Sequence, residues 1–142
     1  MSDTSLQPYL FFNGRTEEAI EFYRGALQAE VVMLMRYSDS PEPSQMPLPP
    51  GWDKKVMHSE IKFGSNRIFL SDGCEGDPKP FDGFSLSLTF SSEADANRVY
   101  SALSAGGEPS MPLTKTFFSP AFGMLRDRFG VNWMIMVPGQ QA

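Results

Sequence analysis

The spacing of apolar and polar residues predicts five regular elements in the first half of the chain. A short apolar run precedes a segment with apolar residues at helical spacing, for which Asn13 or Thr16 supplies a capping side chain. Three β-rich segments follow this helix, the last two joined by a Gly-Ser-Asn turn. In chain order the elements are "LQPYLFFN" (6–13), "GRTEEAIEFYRGALQAE" (14–30), "VVMLMRY" (31–37), "KVMHSEIKF" (55–63) and "NRIFLSD" (66–72).

The same pattern returns in the second half. The segment "FSLSLTF" (84–90) alternates between apolar and hydroxyl side chains, as a strand with one covered face does. A second helical pattern follows it, with Ser92 as the cap and Gly106 at the end. Strands are then predicted at about 108–115, 121–127 and 132–137.

The element order is therefore βαβββ, repeated once. Superposing Phe22-Tyr23 on Val99-Tyr100 places Leu10-Phe11 on Ser87-Leu88. We expect an α+β protein that forms a single domain over residues 1–142, with one module at about 5–74 and the other at about 82–138.

Composition narrows the class of protein. The chain has 142 residues, and its hydrophobic fraction of 41% is typical of a globular protein. Its formal net charge of −5 argues against nucleic acid or an anionic membrane as its partner. Cys74 is the single cysteine, so no internal disulfide is possible, and its acidic neighbours disfavour a nucleophilic thiol. No signal peptide or membrane-length apolar run is present, and we expect a cytoplasmic protein.

Several separated motifs resemble one known group of proteins. They read "PYLFFNG", "EAIEFY", "VMHSEIKFG", "IFLSD", "GFSLSL" and "FGMLRDRFGVNWMI", and together they span about residues 6–137. They resemble the vicinal oxygen chelate superfamily of glyoxalase I, extradiol dioxygenases and bleomycin-resistance proteins. The branch is the PhnB-like one, sometimes labelled after 3-demethylubiquinone-9 3-methyltransferase. The resemblance implies two βαβββ modules that form a cupped, curved mixed sheet with the helices outside, and a homodimer.

The resemblance also implies where a metal would be held, namely by one ligand from each of four strands. In this chain the four positions fall on Pro8, Ser71, Ser85 and Met134, with Gln7 and Asp72 adjacent to two of them. A catalytic divalent cation requires imidazole and carboxylate ligands. We therefore expect no metal and no other cofactor. The methyltransferase label has no support in the residues, since no Gly-rich turn opens a Rossmann-type helix.

His58 is the only histidine and the first catalytic candidate. It shares a strand face with Glu60, so the two are candidates for an acid–base pair, in which His58 acts as a general base or orients a ligand. The alternatives are a half-exposed histidine in an ordinary cross-strand polar pair and, less favoured, a relocated metal held by His58 and Glu60, with or without Asp72.

Other residues are candidates for binding a small molecule. Hydroxyl groups are expected along the alternating strand and at the end of "RIFLSD", while aromatic and methionine side chains suit an apolar or planar ligand. Core packing and a dimer interface are the alternative explanation for the apolar ones. The ligand-binding candidates are Phe12, Trp52, Phe69, Ser71, Ser85, Ser87, Phe122, Met124 and Met134.

Two further segments have open interpretations. Arg126, Asp127 and Arg128 form either a clamp for an anionic ligand or an ordinary solvated turn. The segment 39–54 holds five prolines and Trp52, and is either a lid over a pocket or an arm at an interface.

Two hypotheses about function follow. The first is a metal-free protein that holds a small apolar or aromatic molecule in the sheet cavity, in a site completed by a second subunit. The second is an enzyme acting on a small oxygenated metabolite, as a lyase, isomerase or dioxygenase does, through His58 and Glu60, with or without a relocated divalent metal. A purely structural dimeric module is a third and weaker hypothesis.

Overall fold

The computed structural model describes residues 3–41, 48–73 and 79–139. Cys74 and the central part of the proline-rich segment lie outside these residues. The chain divides into two compact units: the described residues up to 73 form the N-terminal unit, and those from 79 onward form the C-terminal unit. No helix within the described residues is long and apolar enough to cross a membrane.

The N-terminal unit is a four-stranded sheet with one helix packed on it. Its strands are β1 (Tyr9–Phe11), β2 (Glu30–Arg36), β3 (Val56–Phe63) and β4 (Asn66–Ser71), and its helix is α1 (Thr16–Leu27). The strand order is β1-β4-β3-β2, with β1 parallel to β4 and the other pairs antiparallel. Two single turns of 3-10 helix, Tyr37–Asp39 and Trp52–Lys54, lie between β2 and β3.

The C-terminal unit repeats this arrangement. Its strands are β5 (Leu86–Thr89), β6 (Glu108–Thr114), β7 (Ala121–Arg126) and β8 (Asn132–Val137), and its helix is α2 (Glu93–Ser104). The order β5-β8-β7-β6 again has one parallel pair, β5 with β8, at one end. The predicted βαβββ order is confirmed in both halves, and the fold class is α+β with two mixed sheets.

Each sheet has one face covered by its helix. In the N-terminal unit, Leu10, Ile61 and Leu70 are buried from the sheet, and Ile20 and Tyr23 are buried from α1. In the C-terminal unit the covered face presents Leu125, Trp133, Ile135 and Val137, and α2 contributes Ala96, Val99 and Leu103. The opposite face of each sheet, which we call its open face, contains the less buried residues of the same strands.

The two helices begin in different ways. Ser92 caps α2 as predicted, because its hydroxyl accepts a hydrogen bond from the Asp95 amide at 3.1 Å. The predicted caps of α1 are wrong: the N-cap residue is Arg15, whose side chain makes no capping bond. Asp72, which follows β4, instead accepts hydrogen bonds from the amide of Thr16, the first residue of α1, and from that of Gly14 just before the helix.

The predicted superposition of Leu10 on Ser87 is also wrong. Leu10 pairs with Leu70 and is buried under α1, whereas Ser87 pairs with Met134 and is exposed. A core position is therefore matched to a position on an open face, as happens when a strand alignment slips by one residue.

Candidate functional site

Aromatic side chains gather on the open face of the N-terminal sheet. Tyr9 and Phe11 come from β1, and alternation puts both on the side away from Leu10. Phe69 lies directly across from Tyr9 on β4. Tyr9 and Phe11 are 41% and 55% exposed, which is high for aromatic residues within a strand. We call the set Tyr9, Phe11, His58 and Phe69 the aromatic cluster.

His58 is joined to this cluster by a hydrogen bond and by ring contacts. The Tyr9 hydroxyl lies 2.8 Å from His58 Nδ1. The His58 ring centroid is 5.4 Å from that of Tyr9 and 5.3 Å from that of Phe69. Tyr9 also stacks on Phe11 at 5.0 Å and meets the edge of Phe69 at 5.7 Å. These distances are typical of favourable aromatic pairs, so the four rings form one contiguous surface.

Ser71 lies at the end of β4, opposite Phe11 of β1, and is buried. Its hydroxyl accepts a hydrogen bond from the Gly73 amide at 2.9 Å. Burial raises the pKa of the Tyr9 phenol above its ordinary value, and a hydrogen bond with the Ser71 side chain acts in the opposite direction. Ser71 is therefore a polar partner of the aromatic cluster.

Glu60 is placed beside the cluster but is engaged in an ion pair. It lies between Phe69 on β4 and Met33 on β2, and its carboxylate binds the guanidinium of Arg67. The side chain of Glu60 is only 13% exposed, whereas that of Arg67 is 46% exposed. The Glu60 carboxylate is thus held on the open face, and the guanidinium of Arg67 on β4 balances its charge.

Trp52 and Tyr37 fasten the segment before β3 to the end of β4. The indole of Trp52 and the hydroxyl of Tyr37 both donate hydrogen bonds to the carbonyl of Gly73. The indole ring also packs against Gly14, where an added methyl group would lie 3.4 Å from it. In the N-terminal unit Trp52 therefore braces the loops around the start of α1.

Asp72 cannot serve as a metal ligand in this arrangement. Its Oδ1 accepts from the amides of Gly14 and Thr16 at 2.7 and 2.9 Å and from the Thr16 hydroxyl at 2.6 Å. Its Oδ2 accepts from the Val56 amide at 2.8 Å. Four donors saturate a carboxylate of this kind.

The other positions that resemblance assigns to metal ligands do not fit a divalent cation either. These positions are Pro8, Ser71, Ser85 and Met134, and none of them has an imidazole or a carboxylate side chain. Within residues 3–41, 48–73 and 79–139, no three side chains of His, Cys, Asp or Glu gather to hold an ion.

The open face of the C-terminal sheet has a different chemistry. Strand register places Ser87, Met134, Met124 and Met111 side by side across β5, β8, β7 and β6. The next row holds Thr89, Met136 and Phe122. Phe122 is buried beneath Phe118, with ring centroids 5.1 Å apart. This face is a flexible thioether surface edged by hydroxyl groups, and Ser85 directly precedes it.

Asp127 is not part of a solvated turn. It is buried, and its carboxylate accepts hydrogen bonds from the amides of Phe129 and Val131 and, at 2.8 Å, from the indole N–H of Trp133. Asp127 therefore holds the turn between β7 and β8 closed, whereas Arg126 and Arg128 are exposed.

The structure divides the sequence-predicted site residues between the two units. His58, Glu60, Phe69 and Ser71 come together on or beside the open face of the N-terminal sheet. Phe12 does not join them, because it is buried against Tyr23 of α1, with ring centroids 6.2 Å apart. Ser85, Ser87, Phe122, Met124 and Met134 belong to the C-terminal unit.

Sequence reasoning missed Tyr9 and Phe11. The alternation of β1 contained the signal, since Leu10 is the buried residue and its neighbours must face the other way. The parallel pairing of β1 with β4, which brings Tyr9 to Phe69, had no signal in the local pattern.

The paired βαβββ units define a class of protein, the glyoxalase/bleomycin-resistance fold. A glyoxylase/bleomycin resistance protein/dioxygenase domain from Frankia sp. EAN1pec shares it, with 15% identity, a TM-score of 0.71 and coverage of 96% of this chain and 98% of that one. Within this class the chain belongs to the family described as 3-demethylubiquinone-9 3-methyltransferase, whose model matches residues 4–136.

Three relatives are similar along nearly the whole chain. Protein YjdN of Escherichia coli (strain K12) is 31% identical over 145 residues, 96% of this chain and 97% of that protein. The crystal structure of protein PA1353 from Pseudomonas aeruginosa has 39% identity, a TM-score of 0.82 and coverage of 96% and 100%. A PhnB protein from Bacillus cereus has 28% identity, a TM-score of 0.79 and coverage of 94% and 99%.

Proposed function

We propose that this protein binds a small aromatic molecule on the open face of its N-terminal sheet. The observation that carries the proposal is the aromatic cluster, in which four rings touch in series while Tyr9 and Phe11 stay about half exposed. Exposed rings cost free energy in water, and a planar ligand stacked on them removes that surface from water. The Tyr9–His58 hydrogen bond gives the same surface a polar group.

Binding is proposed rather than methyl transfer, in spite of the family description. A methyl-donor nucleotide usually places its polar groups at the first helix N-terminus of an α/β unit. Here the amides of Gly14 and Thr16 at the start of α1 are bonded to Asp72. An internal carboxylate thus occupies the place that the ligand would need in this unit.

We also propose that binding requires no metal. The support is the chemistry of the residues: Pro8, Ser71, Ser85 and Met134 are poor ligands, and Asp72 is saturated by four donors. Elemental analysis of the purified protein is the direct measurement. Stoichiometric zinc, nickel, manganese or iron would contradict the metal-free proposal.

A second candidate function is catalysis on a small oxygenated metabolite. The short contact between Tyr9 and His58 favours it, since a phenol and an imidazole in hydrogen-bond contact form a proton-transfer pair. Glu60 is less suited to be the base, because Arg67 already binds its carboxylate. In this case turnover, and not only binding, would be lost in His58→Gln.

The binding proposal is tested by NMR titration with acetophenone, a flat ring with one carbonyl group. We expect saturable shifts of the ring signals of Tyr9, Phe11, His58 and Phe69. Replacing Phe69 by Leu should weaken binding roughly fivefold, because one stacked ring contributes about 1 kcal/mol beyond the area it buries.

Phe84→Leu is the control, since Phe84 is an exposed aromatic residue, 43%, that belongs to the C-terminal unit and not to the aromatic cluster. It should leave binding unchanged. Equal weakening by both variants would show non-specific adsorption. Saturable shifts confined to Ser87, Met124 and Met134 would show that the thioether face is the site instead.

We further propose that the protein is a homodimer. Phe117, in the connection between β6 and β7, is 101% exposed, and Phe118 beside it is 44% exposed. Their rings are 5.1 Å apart, so they form one apolar patch. Adjacent exposed aromatic residues of this kind are typical of contact surfaces between proteins.

A further inference from the structure

We propose that a hydrogen-bond chain from Ser71 through Tyr9 to His58 holds the neutral imidazole with its proton on Nε2, so that the site selects ring ligands carrying an oxygen acceptor. The part that concerns the ligand rests on the proposed function. The part that concerns the histidine tautomer stands on the geometry of the N-terminal unit alone.

The first step is the direction of the bond between Tyr9 and His58, whose heavy atoms are 2.8 Å apart. A neutral imidazole has one nitrogen that donates and one that accepts. A phenol is a stronger acid than an imidazole N–H, and an imidazole nitrogen is a stronger base than a phenol oxygen. The favoured arrangement is therefore Tyr9 O–H donating to Nδ1, which leaves the proton of the ring on Nε2.

The second step is the contact behind Tyr9. Burial raises the pKa of the Tyr9 phenol, and a hydrogen bond with the Ser71 side chain acts against this rise, as a hydroxyl that donates to the phenol oxygen would. The other acceptor near the Ser71 hydroxyl is the Val56 carbonyl at 3.4 Å, which is a long contact. Ser71 is buried, and its oxygen accepts the Gly73 amide, so we place its proton on the bond to Tyr9.

The third step is what His58 presents to a ligand. Among the described residues, the structure gives its Nε2 atom no hydrogen-bond partner, whereas Nδ1 is taken by Tyr9. The imidazole is half-buried among Tyr9 and Phe69. A ring stacked on the cluster thus meets an N–H donor, and a carbonyl, carboxylate or phenolate oxygen satisfies it. A ligand that offers only donors or only hydrocarbon leaves it unsatisfied.

The tautomer is measured directly because the chain has a single histidine. Two-dimensional ¹⁵N–¹H spectra that correlate the ring nitrogens with the ring carbon protons should show Nδ1 unprotonated and Nε2 protonated, at a pH well above the titration of the ring in the same spectra. In Tyr9→Phe the two tautomers should mix. Tyr37→Phe, which removes a hydroxyl bonded to Gly73 in the same unit, should leave the His58 signals unchanged.

The ligand preference is measured with acetophenone and α-methylstyrene, which differ by a carbonyl oxygen in place of a methylene group. The Kd ratio of alkene to ketone should be roughly three- to tenfold higher for the wild type than for His58→Phe, which keeps a ring in the cluster but removes the N–H donor, as expected for one hydrogen bond. The two probes differ in hydrophobicity, but this difference contributes equally to the Kd ratio of each protein and therefore cancels when the two ratios are compared.

Each adverse result has a distinct meaning. A proton on Nδ1, or an equal mixture in the wild type, overturns the inference whether or not the probes bind. A proton on Nε2 with the same Kd ratio in both proteins overturns the ligand selection. If neither probe binds, the proposed function fails and the ligand part fails with it.

Discussion

Asp72 and Asp127 show how single carboxylates organise the two units. Each is buried at the end of a strand, and each receives backbone amides that would otherwise lack a partner. In both units, hydrogen bonds from these amides stabilise the charged form of the carboxylate. The sequence pattern suggested a metal ligand for Asp72 and a solvated turn for Asp127. A carboxylate that follows a strand has the same local sequence pattern whether it binds a metal, lies in a solvated turn or accepts backbone amides.

Asp72→Asn should lower the free energy of unfolding by about 2 kcal/mol or more. The amide nitrogen would face the Val56 N–H, leaving a buried donor without an acceptor, and the charge at the start of α1 would be lost. Urea unfolding measures the change. Asp53→Asn, on an exposed residue of the same unit, should stay within about 0.5 kcal/mol. Equal stability of the two variants would refute this role of Asp72.

At the scale of elements, the contact between α2 and β7 depends on a missing side chain. Tyr100 of α2 donates to the carbonyls of Met111 and Met124 at 2.9 and 3.2 Å, so its ring crosses Gly123. A Cβ on Gly123 would lie 2.8 Å from the Tyr100 ring and 3.0 Å from the Leu113 Cα. Helix and sheet approach closely here because Gly123 has no Cβ to separate them.

Gly123→Ala should therefore destabilise the protein by about 1–3 kcal/mol, since ring and backbone must both shift. Gly25→Ala in α1 is the matched control, because a Cβ there meets nothing within 4 Å. It should stabilise the protein by up to about 1 kcal/mol through helix propensity. Thermal unfolding compares the two, and a neutral Gly123→Ala would show that Tyr100 packs less tightly than described.

Most elements were predictable at this scale, and their ends were less so. The strand predicted at 6–13 is only Tyr9–Phe11, and the helix predicted at 14–30 is Thr16–Leu27. The second helix and its Ser92 cap were predicted correctly, since that cap is three residues from its partner. The cap of α1 comes from Asp72, which is 56 residues away from Thr16 in the sequence. A local sequence pattern cannot predict a partner at that distance.

At the scale of the whole molecule, the open face of the N-terminal sheet is aromatic and that of the C-terminal sheet is rich in thioether side chains. The element order is the same, so the difference lies in the side chains at alternate strand positions. We expect the proposed homodimer to depend on the exposed apolar patch of Phe117 and Phe118 rather than on either open face.

Sedimentation velocity at micromolar concentration should show a dimer for the wild type and a shift to monomer for Phe117→Ser, because the variant loses a fully exposed ring from the patch. Leu6→Ser is the control, since Leu6 is an apolar residue with a similar exposure, 96%, in the N-terminal unit. A monomeric wild type would refute the homodimer. A dimeric Phe117→Ser would place the interface elsewhere.

The sequence by itself determined the βαβββ order of each half and which strand positions alternate, because periodicity and turn residues act over a few neighbours. Only the tertiary structure decided which side chains meet. Tyr9 reaches His58 across 49 residues, and Asp72 reaches the start of α1, because the sheet order β1-β4-β3-β2 brings the first strand beside the last of its unit. Such pairings follow from strand order and register, which are long-range properties of the packed chain.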